Sequence, residues 1–118
     1  MGLTLVQETE TLSHVALTGR LDAPGVEALE KSFLAHTAAR GKPALVDISE
    51  VTFIASMGIR MLISCAQSLH HAGMKIILIH PRPLVKNALD MTGITALIPI
   101  APDFKQAMAL LANKHLNP

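Results

Sequence analysis

The stretch Val51-Thr-Phe-Ile-Ala-Ser-Met-Gly-Ile-Arg60 starts as β-favouring chain and finishes as the opening of a helix, with a lone serine, Ser56, at the join. Upstream, Pro43-Ala-Leu-Val-Asp-Ile48 reads as a buried strand, Ser49-Glu50 as a turn, and Val51 to Ile54 as an extended approach to the next element. Downstream, Ile59, Leu62, Ile63, Ala66 and Leu69 recur on one helical face, Arg60, Gln67 and His71 fall elsewhere, and Gly73 ends the helix. A buried strand running into an amphipathic helix is half of a strand-helix-strand unit, in which the helix carries the chain back for a parallel partner.

The flanking segments extend the same pattern. Leu3 to Gln7 and His14 to Thr18 alternate as strands around the polar Glu8-Thr-Glu-Thr11, which predicts an antiparallel opening pair. Val26, Leu29, Phe33, Leu34 and Thr37 predict a helix over residues 24–40, with Asp22 or Ala23 at its cap and Gly41 as its stop. Met74 to His80 reads as a strand closed by Pro81 and Pro83, which cannot continue a central ladder. Leu84 to Met91 forms a short helix ending at Gly93, Leu97 to Ile100 a last strand, and Asp103 precedes a final helix with Phe104, Ala107, Met108, Leu110 and Leu111 on its apolar face. The order ββαβαβαβα implies an α/β fold with a mixed, mostly parallel sheet of about five strands, about four helices and right-handed crossovers.

With 118 residues and 50% hydrophobic composition, residues 1–118 are expected to form a single domain with one core. A net charge of +1, 16% charged residues and no basic run or aromatic platform argue against nucleic acid as a partner. One cysteine, Cys65, allows no intramolecular disulfide, and no secretory signal is evident, so a cytoplasmic setting is expected. The apolar run Ile76 to Ile79 is far shorter than the roughly 20 residues of a membrane span, so no direct membrane insertion is expected. Three Phe without Trp or Tyr leave an aliphatic core with no aromatic cage, and no cofactor is expected.

Ser56 carries the chemistry most open to interpretation. As an N-cap its hydroxyl accepts from an unpaired first-turn amide, worth about 1 kcal/mol. That role needs no further function, yet a cap hydroxyl at a surface loop is also open to a kinase. A phosphate there adds about 1.5 to 2 negative charges beside the positive end of the helix dipole, which the fold tolerates and a docked partner does not. Gly58 either leaves room for another surface to approach or packs closely on the sheet. Met57 suits core or interface equally, and Met61 suits the core better. Cys65 reads as a small buried hydrophobe. His70 and His71 diverge by about 100° on a helix, unlike an i, i+4 zinc pair, so no metal site is expected. No phosphate-binding glycine loop or Gly-x-Ser-x-Gly elbow is present, and the nearest candidate carboxylates, Asp22 and Asp47, reach Ser56 only if tertiary folding brings them there, so the chain is not expected to be an enzyme.

Three segments together resemble the STAS domain of bacterial anti-sigma-factor antagonists: Leu17-Thr-Gly-Arg-Leu-Asp22, Leu45-Val-Asp-Ile-Ser-Glu-Val-Thr-Phe-Ile-Ala-Ser-Met-Gly-Ile-Arg60, and Pro83-Leu-Val-Lys-Asn-Ala-Leu-Asp-Met-Thr-Gly93. The resemblance spans nearly the whole chain and implies the STAS fold. The family typically carries Asp-Ser-Ser-Gly in the middle segment, where Ser56 falls at the phosphoacceptor and Gly58 at the glycine, while Ala55 stands for the aspartate and Met57 for the second serine. Asp22 falls at a loop aspartate near that site. The resemblance implies partner switching: the unphosphorylated form binds an anti-sigma serine kinase of histidine-kinase-like ATPase fold and releases its client, phosphorylation of Ser56 blocks binding, and a phosphatase resets it. Asp22, Ala55, Ser56, Met57, Gly58 and Arg60 are the expected partner-binding residues, and a monomer is expected when free. Two other expectations compete with it, namely an accessory subunit of a lipid-transport ATPase complex without a phosphorylation switch, and a nucleotide-binding or sensory module.

Overall fold

In the computed structural model, which describes residues 2–112, the run Ile76–Ile79 forms strand β4 and all four side chains are buried. A strand buried on both faces has to lie inside a sheet that is covered on both sides. β4 sits between strand β3 (Ala44–Ile54) and the two-residue strand β5 (Ile100–Ala101), and β3 pairs in turn with β2 (Ser13–Leu21) and β2 with β1 (Gly2–Glu8). The β1–β2 pair is antiparallel and the other three are parallel, so the sheet is mixed and mostly parallel, as the element order implies.

Alternation along the inner strands sorts the core into two layers. Ala44, Val46 and Ile48 of β3 and Ile76 and Leu78 of β4 pack with helices α1 (Ala23–His36), α2 (Ser56–His71) and α3 (Pro83–Thr92). Leu45, Ile77 and Ile79 point the opposite way, toward helix α4 (Phe104–Ala112), whose Ala107 is buried among them. Three helices therefore cover one face and α4 covers the other.

Several expected boundaries move: β2 runs past Thr18 to Leu21, β4 covers Ile76–Ile79 rather than Met74 to His80, and three further shifts each have a local reason. The first helix stops at His36 rather than at residue 40, because the Thr37 hydroxyl donates to the Phe33 carbonyl at 2.7 Å and its backbone leaves helical angles; a 3₁₀ turn, Ala38–Arg40, completes the segment before Gly41 at φ 65°. Ser49-Glu50 is not a turn, since β3 runs through it. From Ala16 paired with Asp47 to Leu21 paired with Ile54, β2 advances five residues and β3 seven, so β3 absorbs two bulges. The Asp47 carboxylate accepts from the Ser49 amide at 2.8 Å, and Arg82 donates to the Ser49 carbonyl and the Glu50 carboxylate, so the turn-favouring pair serves a bulge instead. The last strand falls at Ile100–Ala101 instead of residues 97–100, because after Gly93 the chain makes another 3₁₀ turn, Ile94–Ala96, with Ile98 donating to the Ile94 carbonyl at 2.8 Å.

On the α4 face, His14 of β2 is buried and stacks on Phe104 with ring centroids 5.5 Å apart, and among the described residues its Nε2 has no hydrogen-bond partner. Burial pushes the imidazole below its ordinary value, the Asp47 charge opposes that and His80 reinforces it. The unfolded chain therefore takes up this proton first, and folding stability rises with pH across the window from the lowered value up to about 6.5. Urea unfolding followed between pH 7.5 and 5 should show a loss of stability beginning below about pH 6.5, and His14→Leu should flatten that part of the profile; an identical profile in the two proteins would refute the assignment.

Candidate functional site

Strands β2 and β3 finish side by side, with Leu21 paired to Ile54. The next residue of each chain segment, Asp22 and Ala55, is the N-cap of the helix that follows, α1 and α2 respectively, and the two adopt nearly the same extended backbone, at φ −106° and −118°. Their side chains make the difference. The Asp22 carboxylate accepts from the Gly25 amide at 3.0 Å, whereas the Ala55 methyl offers no acceptor, so no side chain caps α2. Ser56 is thus the first residue inside α2 and not its cap, which corrects the expectation from sequence. Register fixes this: the Ala55 amide donates to the Leu21 carbonyl at 3.0 Å, and the first helical bond runs from the Ile59 amide to the Ala55 carbonyl. The Ser56 side chain is exposed and, among the described residues, its hydroxyl has no hydrogen-bond partner.

Each of these helices has a glycine three residues after its cap. A Cβ on Gly25 would lie 1.9 Å from the Arg20 carbonyl oxygen, and one on Gly58 would lie 2.6 Å from the Leu21 oxygen and 2.7 Å from the Leu21 Cβ. Of the two readings of Gly58, close packing on the sheet is the one realised. It faces inward and holds the α2 terminus down on β2.

The outer surface of this end is mixed. Met57 is 39% exposed and Arg60 is exposed, while Ile59 and Ala55 are half-buried. Ser56, Ile59, Arg60, Ile63 and Gln67 line one side of a shallow groove of about 370 Å³, closed on the other by Thr92 at the end of α3. Thr92 comes from a distant segment, and no sequence signal links it to Ser56. Arg20 joins the site from β2: its Nε donates to Asp22 at 3.0 Å and its guanidinium lies 4.3 Å from the Phe53 ring centroid. The Gly25 amide, and then Arg20, hold the Asp22 carboxyl below its ordinary value.

Neither carboxylate considered from sequence is set up as a base for Ser56. Asp22 is committed to the α1 cap and to Arg20. Asp47 serves the Ser49 amide and lies on the order of 20 Å back along β3 at ~3.3 Å per residue. Met61 and Cys65 are buried, as expected, with the Cys65 thiol donating to the Thr37 hydroxyl at 3.3 Å and pushed up by burial. His70 and His71 are exposed at the far end of α2. Among the described residues no cluster of three His, Cys, Asp or Glu side chains is placed to hold a metal, and no helix is long and apolar enough to cross a membrane.

Comparison with known proteins gives a consistent result. The STAS domain family model matches residues 4–107. BtrV of Bordetella bronchiseptica, named as an anti-sigma factor antagonist, is 23% identical over 93 residues, 79% of this chain and 80% of its own. Among solved structures, an anti-sigma-factor antagonist (STAS) domain protein of Planctomyces limnophilus superposes with a TM-score of 0.81 at 19% identity, over 96% of this chain and 100% of its own. The Bacillus anti-sigma factor antagonist SpoIIAA, solved in unphosphorylated and phosphorylated forms, superposes at 18% identity with TM-scores of 0.72 and 0.65, over 92% of this chain and 94% and 97% of its own.

The geometry of the two helix starts gives a pair of stability outcomes. Ala55→Asp, placed in an extended backbone that suits a cap, should add about 1 kcal/mol in urea unfolding. Gly58→Ala, whose methyl would press on the Leu21 carbonyl oxygen, the Leu21 Cβ and the Ile54 side chain, should lose about 1–3 kcal/mol. A neutral result for the alanine would mean that α2 is not seated on β2 as described.

Proposed function

Given that this chain belongs to the STAS domain family, we propose that it is an anti-sigma-factor antagonist that acts by partner switching through the start of α2. The observation that carries this reading is the state of Ser56. Its hydroxyl is exposed and, among the described residues, without a partner at the N-terminal turn of a helix, flanked by an exposed methionine and a nearby arginine. The naming of BtrV and SpoIIAA as antagonists, and the existence of SpoIIAA in two phosphorylation states, support the same assignment.

In the unphosphorylated form, Met57, Ile59 and Arg60 offer an apolar and cationic face on which an anti-sigma serine kinase docks, releasing its client. Met57 adapts its flexible thioether to the partner, while Gly58 acts from beneath by keeping the turn in place. The partner, with a histidine-kinase-like ATPase fold, supplies ATP and any base, since Asp22 is engaged elsewhere and Ala55 has no carboxylate. The Ser56 oxygen attacks the γ-phosphorus, the bond to the ADP oxygen breaks, and the hydroxyl proton leaves to the partner or solvent. The protein itself is the substrate and not an enzyme.

Once formed, the phosphate meets the positive end of α2, so the fold persists. At the centre of a docked face the same dianion loses water without a matching cation from the partner, a cost of several kcal/mol and hence about a hundredfold or more in affinity. A phosphatase restores the binding form by hydrolysing the phosphoester. Action of this kind belongs in the cytoplasm, with a monomeric free form.

Incubation with the cognate kinase and ATP should place one phosphate on the wild-type protein and none on Ser56→Ala, which should still bind. Ser56→Glu should bind at least tenfold more weakly by titration calorimetry, and Met57→Ala and Arg60→Ala should each weaken binding of the unmodified protein by about tenfold, about 1.4 kcal/mol. Phosphate on the Ser56→Ala protein would overturn the site. Co-purification with a transport ATPase and permease in place of a kinase would overturn the function.

A further inference from the structure

The chain has four arginines, and three are committed within the fold. Arg20 pairs with Asp22, Arg82 pairs with Glu50, and Arg40 donates to the Leu12 carbonyl and the Ser13 hydroxyl. Arg60 is different: it is exposed and, among the described residues, its guanidinium has neither an ion pair nor a hydrogen bond. It also stands four residues after Ser56 on α2, so the two side chains rise from the same helical face, and both line the groove shared with Ile59 and Ile63.

We infer that Arg60 is the intramolecular counter-ion of phosphorylated Ser56, closing an i, i+4 phosphate–guanidinium pair along the rim of that groove. This rests on the reading of Ser56 as the phosphoacceptor. An acidic group four residues ahead of a cation is the favourable order on a helix, because both charges then agree with the helix dipole. The planar guanidinium fork donates two N–H groups to two phosphate oxygens, a geometry that the lysine ammonium does not reproduce. No other charged side chain has to be displaced to make it.

The pair gives modification a second effect. Phosphorylation adds negative charge to the docking face and, in the same step, withdraws from that face a cation that the unmodified protein offers to its partner. The guanidinium folds back along α2 toward Ser56, at the rim of the groove that Ile59 and Ile63 line. Loss of binding then has two origins, the dianion and the missing arginine.

The test bypasses the kinase. Phosphoserine is installed at position 56 of the full chain during translation, and the phosphate is titrated by phosphorus NMR in the wild-type, Arg60→Gln and Arg60→Lys backgrounds. The second phosphate ionisation should fall below its usual value near 6 in the wild-type background and rise by about 0.5 pH unit with Arg60→Gln, with Arg60→Lys in between. The helix dipole acts equally in all three, so the difference isolates residue 60. Coincident titrations of the wild-type and Arg60→Gln proteins would overturn the pairing. Failure of a kinase to modify Ser56 would instead overturn the phosphoacceptor reading, while the titration would still decide the pairing.

Discussion

Two backbone carbonyls at the end of β2, those of Arg20 and Leu21, fix the geometry on which the site depends. Gly25 presses α1 against the first and Gly58 presses α2 against the second, at separations that a single methyl would violate. The Leu21 carbonyl also accepts from the Ala55 amide. One peptide group therefore terminates the β2–β3 ladder, starts α2 and sets how far its first turn protrudes. The exposure of Ser56 and Met57 follows from this seating, because a turn pressed inward at Gly58 has to turn its neighbouring positions outward.

Around this junction the rest of the chain supplies rigidity. The continuous apolar strand β4 and the alternating strand β3 bind three helices to one face and α4 to the other, so the junction is anchored in both core layers. The two layers are unequal in chemistry. The larger is apolar, with Phe33 among its aliphatic side chains, whereas the α4 layer includes a buried imidazole stacked on Phe104, with one nitrogen unsatisfied among the described residues. Acid therefore acts first on the α4 side, away from the surface that bears Ser56.

What could be read from the sequence was what local pattern encodes. The period-2 and period-3.6 runs gave the element order, and the unbroken Ile76–Ile79 run marked a strand covered on both sides. Ser49-Glu50 misled because residues that favour turns also suit bulges, and only the pairing with β2 distinguishes the two. Ser56 misled in a similar way. Capping preference favours serine over alanine, but the hydrogen bond from Ala55 to Leu21, between residues far apart in sequence, starts the helix one residue earlier. The glycines were visible as glycines, while their reason lies in carbonyls of another strand. Thr92 and the groove it closes come from packing between α2 and α3, which periodicity within either helix does not report.

The two bulges of β3 act as a length gauge. They take up the two residues by which β3 exceeds β2 between their shared pairs, so that both strands reach the finishing line of Leu21 and Ile54 together. Removing one bulged residue would draw the α2 terminus back by about 3.3 Å and invert the inward and outward sense of the chain leading to it. Length changes within Ile48–Phe53 are thus poorly tolerated even at its exposed positions, and insertions belong instead at the exposed Glu10-Thr11 tip between β1 and β2, which sets no downstream register.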